Sequence, residues 1–493
     1  MLARSAIALR SSPVRVSGRA PRRPPALAAL AVLAAATLPS PAAAQQPPTL
    51  QAPRVVASGT TFTVSGTAAA PGRRLTIQIA LNGRWRQLAA ARPRPSGRFS
   101  RRVRPRRTRS RYLLRAMTAT GLVSARRTVR SRHVTLSAVG DVNLGDAPGV
   151  AIDANGPRYP WTGTARILRS ADVTFGNLEC AVSTRGAPVP KTFTFRGRPS
   201  ALAEMRRYAG FDVLNLANNH VGDFGTRALL DTVSRTRALG MRAVGAGGSL
   251  ASASEPRIVE RLGLEIAFVG FSDILPASFF ASADRAGTQQ ATPANIRSSV
   301  RRARRRADVV VATFHWGVER DTRENARQRG FAGIALKAGA DGVIGAHPHV
   351  LQPVVRTGRQ IVAYSLGNFV FGATSPITAR TGILRVRLSA RGVEGHRLVP
   401  AVIEGTRPRL RRKRAAVLAR RSGPVLARSA IGLRSSPLGL RSSPVAQPAP
   451  VKRTISAAID SPRSSWRKCD APSTFTCSPA PGIRSTKTSP ARG

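Results

Sequence analysis

Four of the six histidines in this 493-residue chain fall in three short segments, and each segment follows an apolar run. The segments are Leu216-Ala217-Asn218-Asn219-His220, Thr313-Phe314-His315-Trp316-Gly317 and Gly345-Ala346-His347-Pro348-His349. Two carboxylates are placed the same way: Asp141 ends the run that starts at Val134, and Glu179 follows Val173 to Leu178. Imidazole, carboxylate and amide groups are ordinary ligands of divalent metals. His347-x-His349 puts two imidazoles on one side of an extended loop, stiffened by Pro348. That pair alone is a weak signal; joined to Asp141, Glu179, Asn219, His220 and His315 it is a strong one. The set exceeds what a single ion needs, so one or two ions fit. Two ions about 3.5–4 Å apart suit hydrolytic phosphoryl transfer, because they hold the attacking water and offset phosphate charge.

Ligands at the ends of several β-rich runs need strands whose carboxyl ends converge, as in open α/β sheets. Residues 133–406 have that pattern, strands alternating with helices. One helix is predicted from Thr226 as N-cap through Leu239 to Gly240, a second over 294–307, and a third from Asn325 to Ala338, stopped by Gly339. A further strand is predicted over Ile361 to Leu366. Residues 45–132 read instead as short strands, with a hairpin signal at Asn82-Gly83. They predict a small all-β, immunoglobulin-like sandwich. It has no chemical cluster, and reads as a spacer or wall-binding adaptor.

The formal charge is +56, from 73 arginines and 6 lysines against 23 carboxylates. Such dominance of arginine fits codon bias in a GC-rich genome better than a nucleic-acid surface, and an anionic partner at the cell envelope is compatible with it. Residues 1–44 read as a secretion signal: Arg22-Arg23, the apolar stretch Ala26 to Leu38, then Pro41-Ala42-Ala43-Ala44-Gln45. Residues 407–493 are rich in Arg, Pro and Ser and are expected to be disordered. Leu2 to Pro13 nearly repeats at Leu426 to Pro437, which suggests a duplicated nucleotide element rather than a structural unit. Three cysteines make no disulfide framework; Cys180 reads as a small buried residue, and Cys469 and Cys477 are free to pair.

Six ordered segments carry a specific resemblance. They are Gly140-Asp141-Val142-Asn143-Leu144-Gly145, Asn177-Leu178-Glu179, Ala217 to Gly225, His315-Trp316-Gly317-Val318-Glu319, Gly345 to Gln352 and Tyr364 to Phe369. In this order they resemble the CapA family of capsule or poly-γ-glutamate synthesis, whose fold is similar to calcineurin-like metallophosphoesterases. The resemblance implies an α/β, metallophosphatase-like αββα sandwich over 133–406. It implies metal ligands at Asp141, Glu179, Asn219, His315, His347 and His349. It gives His220 a phosphate-contacting or proton-donating role. Asp223 is either a further catalytic carboxylate, able to compensate for a missing imidazole in the first segment, or a helix-entry cap before Thr226. Asn143, Glu319, Ser365 and Asn368 are substrate-side candidates, Glu319 being equally readable as a solvated carboxylate. Two positions depart from the superfamily pattern: Asn143 stands where an imidazole is usual, and Glu179 where a shorter Asp is usual. The implied function is that of a secreted, envelope-associated protein of capsule, poly-γ-glutamate or other polymer synthesis, acting as a metal-dependent phosphoesterase-like hydrolase. The alternative is a non-catalytic, polyanion-binding accessory factor for synthesis or export. The implied cofactors are one or two divalent ions among Mn, Fe, Zn and Mg. The implied partners are an anionic envelope polymer or phosphoester substrate and other polymer-synthesis proteins. Nucleic acid is disfavoured, since no binding motif is present.

Overall fold

The structure, a computed structural model, describes residues 46–274 and 276–411. The expected signal segment, the end repeats, Cys469 and Cys477 lie outside the described residues. Residues 46–132 form seven strands: β1 (Val55–Ala57), β2 (Phe62–Thr67), β3 (Leu75–Leu81), β4 (Arg84–Ala91), β5 (Arg98–Val103), β6 (Arg111–Met117) and β7 (Arg127–Arg132). Alternation explains them: Leu75, Ile77 and Ile79 point inward from β3, and Tyr112, Leu114 and Ala116 from β6. A five-stranded sheet, β1-β7-β6-β3-β4, and a β2–β5 ladder share one core, with Val64 and Phe99 from the ladder. Asn82 and Gly83 close the β3–β4 hairpin at φ 51° and 75°, the left-handed pair a two-residue turn requires.

The α/β region follows without a break. Its strands are β8 (Val134–Val142), β9 (Val173–Leu178), β10 (Val213–Asn215), β11 (Arg242–Val244), β12 (Ala246–Gly247), β13 (Arg257–Arg261), β14 (Leu264–Ser272), β15 (Gly287–Thr288), β16 (Val309–His315), β17 (Gly342–Ala346), β18 (Val354–Thr357), β19 (Gln360–Ala363), β20 (Asn368–Val370), β21 (Arg380–Ser389), β22 (Gly392–Glu404) and β23 (Arg407–Leu410). Its helices are α1 (Asp146–Asn155), α2 (Ala165–Arg169), α3 (Pro199–Arg207), α4 (Gly225–Ala238), α5 (Leu250–Ala253), α6 (Pro293–Arg304), α7 (Ala326–Ala338) and α8 (Pro376–Ala379). One sheet runs β11-β10-β9-β8-β21-β22-β23, with β20 also on β8; the other runs β13-β14-β16-β17-β19-β18. Their inner faces share a core that includes Leu136 and Phe175 from the first sheet and Phe268, Val311 and Ile344 from the second. The Phe175 and Phe268 rings stack across it at 5.9 Å. The outer face of the first sheet packs on α2, α3 and α4, and that of the second on α6 and α7. The fold is therefore α/β, with two sheets between two helical layers. In each sheet a parallel set, β11-β10-β9-β8 and β14-β16-β17-β19, turns its carboxyl ends to one edge.

Several boundaries differ from the sequence reading. Helix α4 starts at Gly225 after Phe224, so Thr226 lies inside its first turn and is not the N-cap. Helix α6 begins at Pro293, capped by Thr292, and ends at Arg304 rather than 307. Strand β19 stops at Ala363, because the amides of Tyr364 and Leu366 turn away to the carbonyls of Pro353 and Gly345. The first sheet continues past residue 406: Gly405, at φ 65°, closes a turn, and Arg407 to Leu410 pair with β22. The expected disordered tail thus starts too early at 407; its remainder beyond 411 lies outside the described residues. The all-β module joins the α/β region through a bidentate Arg132–Asp172 pair and an Ala57 amide bonded to the Leu262 carbonyl. No helix among the described residues is long and apolar enough to cross a membrane.

Candidate metal centre

The site starts at a close backbone crossing. A Cβ on Gly140 would lie 1.8 Å from the Gly367 carbonyl oxygen, so only glycine lets the strand after Leu366 press against β8. The next residue, Asp141, donates its amide to that same carbonyl and is fully buried. Its Oδ1 accepts from Asn177 Nδ2 at 2.8 Å, and its Oδ2 accepts from the His347 amide at 3.2 Å. His349 Nδ1 lies 3.3 Å from Oδ2. Glu179, just beyond β9, is also fully buried; His315 Nε2 approaches its Oε1 at 3.2 Å and His349 Nε2 at 4.0 Å. Asn219 offers Oδ1 to His315 Nε2 at 2.7 Å. The rings of His315 and His347 are 4.8 Å apart, and those of His347 and His349 5.8 Å. All six sequence-derived ligands are therefore one cluster. They divide by sheet: Asp141, Glu179 and Asn219 come from the first, and all three imidazoles from the second. His347 and His349 hold left-handed backbone at φ 95° and 59° on either side of Pro348, a strained arrangement for non-glycine residues.

The electrostatics of the cluster follow from its burial. Burial and the neighbouring Asp141 push the Glu179 carboxyl well above the ordinary carboxylate range. Burial, and then the other imidazoles, push His315 well below the usual imidazole range, and burial takes His347 down to about 3. Burial opposes protonation of His349 as well, but Asp141 and Asn368 outweigh it and raise its pKa. Both carboxylate oxygens of Glu179 and Nδ1 of His347 are buried without a hydrogen-bond partner. Unpaired buried polar atoms cost about 1–3 kcal/mol each, and two buried carboxyl groups set among three imidazoles are a donor set that a cation satisfies. One ligand atom from each of Glu179, His347 and His349 lies within 4.8 Å of the others, and so does one from each of Asp141, Glu179 and His315. The donor set fits divalent metal, with Glu179 common to both triads.

A second group of side chains flanks the ligands. His220 Nδ1 is 2.7 Å from Asp223 Oδ2, and its ring stacks on Phe195 at 4.1 Å. Fully buried Asp223 also accepts from the Phe195 amide at 2.8 Å and from Lys191 Nζ at 2.7 Å. Asp223 makes no cap bond to α4, so the helix-cap alternative is excluded. Burial lowers the His220 pKa although Asp223 acts to raise it. Lys191 also donates to the Asn219 carbonyl at 2.5 Å.

The substrate-side candidates separate. Asn368 is buried and holds His349 Nδ1 at 2.8 Å, so it orients one of the candidate ligands. Asn143 uses Oδ1 on the Gly145 amide, while its Nδ2 is buried and unpaired. Ser365 is corrected: its hydroxyl is taken up by the Val350 carbonyl and the Gly367 amide and braces the loop. Glu319 is exposed and makes no hydrogen bond to the cluster, although its charge acts on Glu179 and His349. Trp316 is a packing wall, fully buried against Phe314 and bonded to the Tyr364 carbonyl. Cys180 is buried and free.

Two residues escaped the sequence reading. Asn177 bridges Asp141, His315 Nδ1 at 3.2 Å and Asn215 at 2.9 Å, and so ties both sheets together beneath the ligands. It stands two positions before Glu179, in a segment quoted for the resemblance but given no role of its own. Lys191 is one of only 6 lysines among 79 basic residues, which was the available signal.

Residues 135–373 match the family model described as bacterial capsule synthesis protein PGA_cap. The chain is 30% identical to the PGA biosynthesis protein CapA of Bacillus subtilis (strain 168) over 278 residues, covering 56% of this chain and 73% of that protein. It is 29% identical to the capsule biosynthesis protein CapA of Bacillus anthracis over 287 residues, covering 57% and 70%. A Mycobacterium tuberculosis protein, named a probable polyglutamine synthesis accessory protein, is 28% identical over 230 residues, covering 43% and 60%.

Proposed function

The chain belongs to the family of bacterial capsule synthesis proteins, and from that membership we propose that it works in capsule or polyglutamate synthesis through a metal-dependent, phosphoesterase-like site. The observation that carries this reading is Glu179, a buried carboxylate with both oxygens unpaired among three imidazoles and Asp141. The α/β region is then a metallophosphatase-like αββα sandwich and the all-β module an immunoglobulin-like adaptor. We place the protein outside the cytoplasm at the cell envelope, on the composition of residues 1–44.

Asp141, Glu179, Asn219, His315, His347 and His349 would hold one or two ions. Bound divalent metal supplies Lewis acidity and offsets the charge of a phosphoester. The remaining work belongs to the chain. Asn177 fixes the Asp141 and His315 side chains. Asn368 fixes His349. We assign the His220 Nδ1 proton to its bond with Asp223, which leaves Nε2 to accept or pass a proton. The His220 pKa is lowered by burial, so the ring is neutral at pH 7 and suited to accept. Lys191 balances Asp223 and adds positive charge beside the ring.

The test is metal analysis of the purified chain with phosphomonoester and phosphodiester turnover measured beside it. Bound metal with ion-dependent turnover supports the hydrolase. Bound metal without turnover on any phosphoester favours the second reading, an accessory factor that binds polymer carboxylates. That reading has one specific observation behind it: Asn143 occupies the position where a further imidazole ligand is usual. A chain that binds no divalent ion refutes both.

A further inference from the structure

Between residues 46 and 132 the chain carries 20 arginines and no lysine, aspartate or glutamate. Residues 133–411 hold 21 of the 23 carboxylates, against 37 basic side chains. Nucleotide bias acts on both regions alike, so it does not explain a folded module without one carboxylate. Among the described residues, the only ion pair these arginines make is Arg132 with Asp172. Outside the described residues the chain has only Asp460 and Asp470 to offer. Uncompensated like charge opposes compaction, so the module is destabilised by its own surface until an anion covers it.

Seven of these arginines line two grooves at the ends of β4, an edge strand of the five-stranded sheet. Near its start, Arg84, Arg86, Arg107 and Arg109 line a groove beside the Asn82 turn. Near its end, Arg74, Arg92 and Arg101 line a second. All seven are exposed. Eight strand residues at about 3.3 Å each set the two grooves roughly 20–25 Å apart.

We propose that this edge of the module docks an extended polycarboxylate chain that spans both grooves. Guanidinium forks grip carboxylates in bidentate pairs, and a linear polymer with one carboxylate per repeat meets both grooves at once. Single-stranded nucleic acid needs exposed rings on which bases stack. Of the module's four aromatic residues, Phe62, Phe99 and Tyr112 are buried. Trp85 is already covered by Arg115, 4.2 Å from its ring centre, and by Arg126 at 6.0 Å. The choice of polymer rests on the capsule-synthesis reading; the docking surface does not depend on the chemistry of the metal centre.

The test uses the full chain and fluorescently labelled poly-γ-glutamate, with anisotropy read across a salt series. One variant carries Arg84→Gln, Arg86→Gln, Arg107→Gln and Arg109→Gln; another carries Arg74→Gln, Arg92→Gln and Arg101→Gln. The comparison variant carries Arg297→Gln, Arg301→Gln, Arg305→Gln and Arg356→Gln, four exposed arginines of the α/β region. Each module variant should weaken binding at low salt by about tenfold or more and flatten its salt dependence, with the comparison variant close to wild type. Melting curves identify a variant that has not folded, and the other module variant then decides. Equal losses in module and comparison variants overturn the proposal. So does a duplex DNA of matched charge that binds more tightly than the polycarboxylate. Binding is read without turnover, so an inert metal centre leaves this result standing, and turnover with module-independent binding overturns this proposal alone.

Discussion

Replacing Glu179 with Gln should make the metal-free protein more stable and the metal-loaded protein less so. The side chain is fully buried, both oxygens lack partners, and Asp141 is a like charge beside it. Glutamine keeps the shape and removes the charge. The amide still buries two polar atoms, so the gain comes from the lost charge alone; about 1.4 kcal/mol for each tenfold by which ionisation is disfavoured makes roughly 1–3 kcal/mol, or a rise in Tm of roughly 2–10 °C for a region this size. The gain depends on pH in a definite direction. Because the folded-state pKa of Glu179 is raised, its contribution to stability is complete below the ordinary glutamate value and is lost as pH rises through the raised one. The advantage of Glu179→Gln therefore grows with pH above the ordinary glutamate range. With an ion the order reverses. A ligand at a hundred times its Kd stabilises by about 2.7 kcal/mol, and the variant, lacking the carboxylate common to both triads, should show little of that shift. Calorimetry of chelator-treated protein, with and without added Mn or Zn, reads both effects. A metal-free variant that melts below metal-free wild type, or equal metal-induced shifts in the two, would refute the reasoning.

Asn177→Ala should cost about 2–3 kcal/mol in chemical denaturation and about 10–100-fold in ion affinity, since it strips partners from Asp141 and His315 without removing a ligand. His220→Ala should lower turnover about 10²–10⁴-fold with metal retained, whereas His347→Ala should lose metal first; equal metal loss in both would make His220 a ligand. Gly140→Ala should give insoluble or metal-free protein, because its Cβ meets the Gly367 carbonyl at 1.8 Å; a soluble variant with wild-type metal content would contradict the crossing. Asn82→Val should cost about 1–2 kcal/mol through its left-handed φ of 51°, measured by denaturant unfolding, and leave metal content unchanged.

The clustering of the candidate ligands was legible because each stands at the end of an apolar run, and parallel strands bring such ends to one edge. Asp141, Glu179, His315 and the His347/His349 pair needed no more than that and the six ordered segments. The hairpin at Asn82-Gly83 was equally local, since its turn is chosen by two residues. What was not legible depends on pairing across sheets. Asn177 looks like any polar residue near a strand end until β9 is laid beside β8 and the second sheet over both. Ser365 looked like a site residue for the opposite reason: its place after a strand end was visible, but the carbonyl it binds was not. Arg407 to Leu410 read as tail because four residues with two arginines carry no strand signal; the hairpin with β22 makes them one.

The division of ligands between the sheets makes the centre a gauge of how the two layers align. Neither layer holds a usable set: one brings carboxylates and an amide, the other imidazoles. Their alignment is fixed below the ligands where Phe175 meets Phe268, and at the ligands themselves where Asn177 reaches His315. A substitution deep in that seam, such as Phe268→Leu, touches no ligand, yet any slip it allows separates the Glu179 and His315 atoms that now lie 3.2 Å apart. Ion affinity then reports, from the rim, on packing in the interior. The same logic makes a bound ion a rivet between the layers, so loading should draw the two sheets into a single, sharper unfolding transition.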